Sequence, residues 1–335
     1  MSALCVWGAG AIGGTIGAYL RRGGQDLVFV DRAADHVSAI GRNGLHITGP
    51  VADFAVTARA FTPEQVTEAF DTVLLCVKAQ DTADAVEAIL PHLVSDGCIV
   101  SVQNGLNELT IARLAGKQRT VGAFVNFGAD WMGPGEVQFG GRGAVVVGEI
   151  DGRITPRVER LYALFRLFDD KAVLTPNIWG YLWGKLAYGA MLFATALTDD
   201  SMADCFAAPD RRPLFTTLAR EILGVAQAAG IRPEAFDGFD PGAYASDEAA
   251  AASLDALERH NRHSAKSHSG IWRDLAVRKR RTEADAQLGP ILDAARDHGV
   301  AAPITARLIT MIHEVEEGTR PRSRANLDEL ARAIP

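Results

Sequence analysis

The sequence predicts an α/β domain followed by an all-helical domain. Three observations carry this. Strand-like and helix-like segments alternate through the first half. Strand signals nearly vanish after about Asp151. A glycine-rich turn, Gly8-Ala9-Gly10-Ala11-Ile12-Gly13, joins the first apolar run to the first helical pattern. Strands buried on both faces read as continuous apolar runs, and helices between them act as crossovers, so this alternation implies a parallel sheet.

The elements follow in order. Cys5-Val6-Trp7 is the first strand, and Thr15 to Leu20 the body of a helix that ends at Gly23-Gly24. Asp26-Leu27-Val28-Phe29-Val30-Asp31 is a second strand closing on an acid. A strand, a G-x-G-x-x-G turn, a helix, a strand and an acid about 20 residues on form a dinucleotide-binding unit of Rossmann type. Gly8 permits the tight turn, Gly10 lets the backbone approach a pyrophosphate, and Gly13 lets helix and strand pack closely. The helix N-terminus at Ala11 and Ile12 offers N–H groups and a partial positive charge to the phosphates.

Further along, Ala34 to Arg42 reads as a helix, and Leu45-His46-Ile47 and Asp53 to Ala58 as short strands. Asp71 to Val77 and Cys98 to Val102 are buried strands, with a helix from Ala83 to Leu90 stopped by Pro91. Thr120 to Asn126 and Gly143 to Gly148 are two more strands, and Gly133-Pro134-Gly135 marks a turn of an antiparallel edge. Ile154 to Phe168 is helical, and Val173 to Asn177 is a last strand and linker. Helices are then expected from Ile178 past Leu192, Pro213 to Ala229, Glu248 to Arg259, Thr282 to His298 (with Pro290 inside) and Ile304 to Glu317. The expected division is 1–173 for the nucleotide domain and 174–335 for the helical domain, with a cleft between them.

Composition narrows the function. The net charge of −7 argues against a nucleic-acid-binding surface. No run of 18 or more apolar residues occurs, so no membrane span is expected. Met1-Ser2-Ala3 leads straight into the first strand, which leaves no room for a signal peptide. Cys5, Cys76, Cys98 and Cys205 lack metal-ligand spacing, and His260, His263 and His268 do not match a helical metal site, so no metal is expected. A reducing cytoplasm fits these features.

Several side chains sit where chemistry is expected. Lys78 and Asn104 follow two buried strands, and ligands in open α/β sheets lie beyond the carboxyl ends of strands. Each also has a plain structural reading, as a solvated loop lysine and an Asn-Gly turn. Lys185 lies in a helix that is apolar on nearly all sides. Burial there would lower its pKa and suit it to give a proton to a carbonyl oxygen. Glu283 follows Thr282 at a helix start, where Thr caps and acids favour the first turn.

Taken together these residues resemble the ketopantoate reductase (2-dehydropantoate 2-reductase) family over nearly the whole length. The resemblance rests on the glycine turn, Val77-Lys78-Ala79, Gln103-Asn104-Gly105, Gly133-Pro134-Gly135-Glu136-Val137, Trp183-Gly184-Lys185-Leu186 and Ser269-Gly270-Ile271-Trp272-Arg273-Asp274 leading to Arg281-Thr282-Glu283. It implies NAD(P)H-dependent reduction of a 2-oxo acid to a 2-hydroxy acid. Lys185 takes the place of the general acid, and Glu283 that of the acid that binds substrate and orients the lysine. Asn104 and Lys78 match the pair holding cofactor and substrate, and Ser269 falls among the substrate-binding positions. The family usually carries asparagines four and eight residues after the lysine, and here those places hold Gly189 and Phe193. Thr195 or Thr198 could replace them if the helix is shifted. The pocket is thereby less polar, which leaves open a related 2-hydroxy acid dehydrogenase on another substrate.

Asp31 suits the ribose hydroxyls of NAD(H), whereas Arg32 matches the arginine used for the phosphate of NADP(H), the expected cofactor. A non-catalytic NAD(P)-binding sensor is the remaining alternative, and a binder of that kind needs neither Lys185 nor Glu283. The apolar helices leave a homodimer possible.

Overall fold

A computed structural model describes residues 4–263 and 267–334; Met1, Ser2 and Ala3 lie outside them. The Cα framework separates into two compact units that meet between Ile178 and Trp179.

The first unit contains β1 (Leu4–Trp7), α1 (Ala11–Arg22), β2 (Leu27–Val30), α2 (Ala34–Asn43), β3 (Leu45–Thr48), β4 (Phe54–Val56), β5 (Arg59–Phe61), β6 (Phe70–Leu75), α3 (Thr82–Ile89), β7 (Leu93–Ser101) and α4 (Asn107–Ala115). It continues with β8 (Thr120–Val125), β9 (Gly128–Gly133), β10 (Glu136–Gly141), β11 (Val145–Glu149), α5 (Pro156–Phe168) and β12 (Val173–Leu174). The main sheet has the order β12-β11-β8-β7-β6-β1-β2-β5. From β5 through β8 every pairing is parallel. Every residue of β1 is buried. Leu4 and Val6 enter the core under one face, while Cys5 and Trp7 enter the core under the other. This two-residue alternation into two hydrophobic cores is what a central parallel strand requires. The chain leaves β1 toward β2 and returns to β6 on its other side. That reversal places the crevice for a ligand at the carboxyl end of β1.

Three details differ from the sequence reading. The segment read as one strand from Asp53 to Ala58 is β4 alone, and the chain then crosses to a different sheet as β5. The turn Gly133-Pro134-Gly135 closes the β9–β10 hairpin of a separate four-stranded sheet, β4-β3-β10-β9. The antiparallel pairing of the main sheet is instead β8 with β11. Helix α4 escaped notice because Asn107 and Glu108 in its first turn are polar yet buried, which blurs its apolar period.

The second unit is helical: α6 (Ile178–Thr195), α7 (Met202–Ala207), α8 (Arg212–Ala228), α9 (Asp247–His263), α10 (Gly270–Ala276), α11 (Ala284–Asp297), α12 (Pro303–Glu316) and α13 (Ala325–Ala331). Helices α7, α10 and α13 are only six or seven residues long, too short to show periodicity. Helix α11 runs through Pro290. Helix α12 begins after Ala302, which cannot cap it, and Glu221 from α8 does so instead. Its carboxylate accepts the N–H groups of Ile304 and Thr305 at 3.0 and 2.8 Å. No helix of the described residues is long and apolar enough to cross a membrane.

Candidate functional site

In the first unit, four strand ends bring the expected residues to one edge of the sheet. Hydrogen bonds continue the ladder past the strands, from Gly8 N to Val30 O (2.7 Å), Cys76 N to Trp7 O (2.7 Å) and Val102 N to Leu75 O (2.9 Å). The turns carrying Gly8, Asp31, Lys78 and Asn104 therefore share that edge.

The three glycines differ in what surrounds them. Gly8 has φ +101°, and a Cβ there would stand 2.7 Å from the Cys76 carbonyl carbon. A Cβ on Gly13 would stand 2.0 Å from Gly8 O and 2.9 Å from Val6 Cγ1, so helix and strand touch through this residue. A Cβ on Gly10 would meet nothing within 4 Å. That open cradle adjoins the start of α1, where no side chain caps the first N–H groups and the first turn holds no acid. The residues present thus fit a dinucleotide pyrophosphate: donors at a helix N-terminus, a positive dipole end and room above the backbone.

Asp31 has a second task that the sequence did not show. Its Oδ2 accepts the Ala9 N–H at 2.8 Å and its Oδ1 the Ala33 N–H at 2.9 Å. Arg32 is largely exposed and pairs with Asp81 at 3.1 Å. Lys78 and Asn104 are both exposed. Beneath them Gln103 is buried and donates to Val77 O (3.0 Å) and Thr82 Oγ1 (2.8 Å), which ties the two strand-end loops together. His36, also missed, is buried. Its Nδ1 accepts the Gly135 N–H at 2.9 Å, so Nε2 carries the proton and donates to Ala9 O at 2.9 Å.

In the second unit, Lys185 is partly buried on α6. Desolvation pulls its ammonium down to about 8, against the opposing pull of two carboxylates, Asp237 first and then Glu283. Two acids far apart in sequence thus act on the lysine: Glu283, and Asp237 from the stretch between two of the expected helices. The helix start near Glu283 also differs from expectation. Glu283 is itself the N-cap residue of α11, and the Thr282 hydroxyl donates to Glu316 at 2.7 Å, which anchors this turn to the end of α12.

One turn beyond Lys185, a Cβ on Gly189 would meet nothing within 4 Å. Phe193, two turns beyond, has no accessible surface and belongs to the packed interior. Thr195 and Thr198 are buried, with hydroxyls engaged locally: Thr195 donates to Leu192 O, and Thr198 accepts the Asp200 N–H. Ser269 is buried and caps α10, accepting the Trp272 N–H at 3.1 Å.

A family model described as Ketopantoate reductase PanE/ApbA matches residues 4–152, and one described as Ketopantoate reductase PanE/ApbA C terminal matches residues 177–316. The 2-dehydropantoate 2-reductase of Halobacterium salinarum is 26% identical over 314 residues, 92% of this chain and 96% of that one. Among solved structures, a PanE/ApbA family ketopantoate reductase from Ralstonia eutropha is 26% identical with a TM-score of 0.79, over 94% of this chain and 99% of that one. D-mandelate dehydrogenase with NADH and anilino(oxo)acetate has a TM-score of 0.80 at 20% identity, over 94% of this chain and 99% of that one, a likeness of fold. The two family models between them span most of the sequence, and the chain belongs to the ketopantoate reductase PanE/ApbA family of NAD(P)-dependent oxidoreductases.

Proposed function

We propose that the chain reduces a 2-oxo acid to the 2-hydroxy acid, with ketopantoate as the reference substrate and NADP(H) as the cofactor. The observation that carries this is the lysine on the apolar helix, with a pKa drawn to about 8. At neutral pH it is still protonated, yet it gives up its proton far more readily than an ordinary lysine.

The dinucleotide, when bound, supplies the hydride. The chain's own residues do the rest. The α1 N-terminus and the Gly10 cradle hold the pyrophosphate, and Arg32 is free enough of the surface to meet a 2′-phosphate. Lys185 gives its proton to the ketone oxygen as negative charge develops there. In the helical unit Glu283 orients Lys185 and helps bind the substrate; at the strand edge of the first unit Asn104 offers an amide and Lys78 a positive charge.

A second reading concerns the substrate. The open space at Gly189, one helical turn from Lys185, favours a 2-oxo acid with a bulkier and less polar substituent than ketopantoate. A panel of 2-oxo acids, each assayed with NADPH and with NADH, tests both readings. Turnover of ketopantoate with NADPH at a rate of order 10 per second supports the first. Preference for apolar 2-oxo acids supports the second. An inactive panel in both directions of reaction removes the reductase reading.

A further inference from the structure

We propose that Asp237 is a positioning residue of the Lys185 site, held against α6 by a two-residue hairpin and keeping the ammonium charged and aimed together with Glu283. The proposal rests on the reading of Lys185 as proton donor.

The hairpin is explicit in the backbone. Phe236 N donates to Phe239 O at 3.0 Å, and Phe239 N donates to Phe236 O at 2.7 Å. Between them Asp237 has φ +40° and Gly238 φ +83°. Positive φ at both central residues defines the tight hairpin turn for which Asp-Gly and Asn-Gly are the preferred pairs. Asp237 therefore sits at the tip for a conformational reason: the turn fixes its backbone and leaves the residue exposed.

The same segment is seated along one face of α6. Glu234 N donates to Gly180 O at 3.0 Å. Gly184 has no room for a side chain, because a Cβ would lie 2.7 Å from Glu234 O and 3.5 Å from a Phe236 ring carbon. The Tyr188 ring centroid lies 5.7 Å from that of Phe239 and 6.3 Å from that of Phe236. The Tyr244 hydroxyl reaches Met191 Sδ at 3.8 Å. Positions 180, 184, 188 and 191 repeat at helical spacing, so the seat is continuous over three turns. Lys185 is the next residue of α6 after Gly184.

The charged and titratable groups around the lysine come from three elements. Asp237 comes from the hairpin, Glu283 from the start of α11, and Tyr188 from α6 itself, where burial, with a smaller push from Asp237, raises the phenol pKa. One turn back, burial and then the Glu234 carboxylate raise the Tyr181 phenol pKa. A carboxylate at the hairpin tip favours the charged form of Lys185.

The test uses Asp237→Asn, which removes the charge and keeps a residue the turn prefers. The lysine is titrated directly by competitive labelling with trace acetic anhydride, read peptide by peptide in the mass spectrometer, without reference to turnover. The expected midpoint for Lys185 falls by about one pH unit in the variant, in line with the effect of one close opposite charge. The basic limb of kcat/KM for reduction moves down with it, and Asp237→Glu restores part of the shift. An unmoved midpoint in folded Asp237→Asn overturns the proposal, as does a moved midpoint with an unmoved pH profile. Lys185→Ala separates this from the reading beneath it: an active Lys185→Ala enzyme overturns the donor role itself. An inactive one with an unshifted Asp237→Asn enzyme overturns the role of Asp237 alone.

Discussion

The carboxylate of Asp31 holds the backbone N–H of Ala9 at 2.8 Å, across 22 residues of sequence. The acid at the end of β2 is therefore a brace for the glycine turn, beside its proposed contact with the ribose. Asp31→Ala should weaken NADH and NADPH alike, by roughly ten- to hundredfold, since a hydrogen bond to a charged group contributes about 1.5–3 kcal/mol. Dissociation constants for the two cofactors by fluorescence titration decide it. If NADPH binding improved while NADH binding fell, the acid would act on the ribose alone.

Gly8 and Gly10 should separate folding from binding. Gly8→Ala meets backbone atoms and a left-handed φ, and is expected to destabilise by more than about 2 kcal/mol. Gly10→Ala projects a methyl group into open space, so the melting temperature should stay near that of the parent. Cofactor affinity should nevertheless fall by about tenfold or more, equal to about 1.4 kcal/mol. Unchanged affinity in Gly10→Ala would remove the pyrophosphate from that cradle.

Reduction should fail as the medium turns basic. Lys185 must be protonated to act as the acid, and its pKa is drawn to about 8, so kcat/KM for reduction falls as pH rises through that value. Oxidation of the 2-hydroxy acid needs the neutral amine and should rise over the same window. Lys185→Ala is expected to lose about 10²–10⁴ in kcat. A flat profile for reduction up to about pH 10 contradicts this, because about 10.4 is where an ordinary lysine titrates.

Glu108 makes a prediction about stability. It is fully buried on α4, where burial opposes the charged carboxylate more than its own backbone N–H and the Ser101 hydroxyl favour it. Burial pushes its pKa up to about 8 from an ordinary 4.5. Between those values the native state keeps a proton that the unfolded state has released, so stability declines as pH rises. Glu108→Gln lacks this decline. Urea unfolding at about pH 5 and about pH 9 should show the variant gaining on the parent by a few kcal/mol at the higher value. Parallel stability curves for the two proteins would show that Glu108 titrates normally.

Gly189→Asn places an amide in the open space one turn from Lys185. The ratio of kcat/KM for ketopantoate over an aromatic 2-oxo acid should rise by about tenfold or more, because a polar group suited to one substrate penalises the substrate that leaves it unpaired. No change in the ratio would move the substrate away from this face of α6.

Much of this was legible in the amino-acid order. The glycine turn, the acid closing β2 and the apolar helix around Lys185 each follow local rules, a turn, a strand end and a periodicity. The partners of those residues were not legible, because they are distant in sequence. Asp237 lies 52 residues beyond Lys185 and reads as loop, although Asp-Gly between two phenylalanines is a hairpin signal that could have singled it out. His36 and Gln103 were silent for a similar reason, since each acts through backbone groups that carry no sequence signature. The open environment of Gly189 and the closed one of Phe193 depend on tertiary packing, which spacing along one helix does not report.

The imidazole of His36 joins the main chain of the glycine turn, at Ala9, to the main chain of the β9–β10 connection, at Gly135. The small sheet is in consequence no ornament on the nucleotide unit. Shortening or grafting that connection, as a protein engineer trimming surface loops would do, removes the group that His36 uses to brace the glycine turn and should slacken the proposed grip on the dinucleotide from outside it.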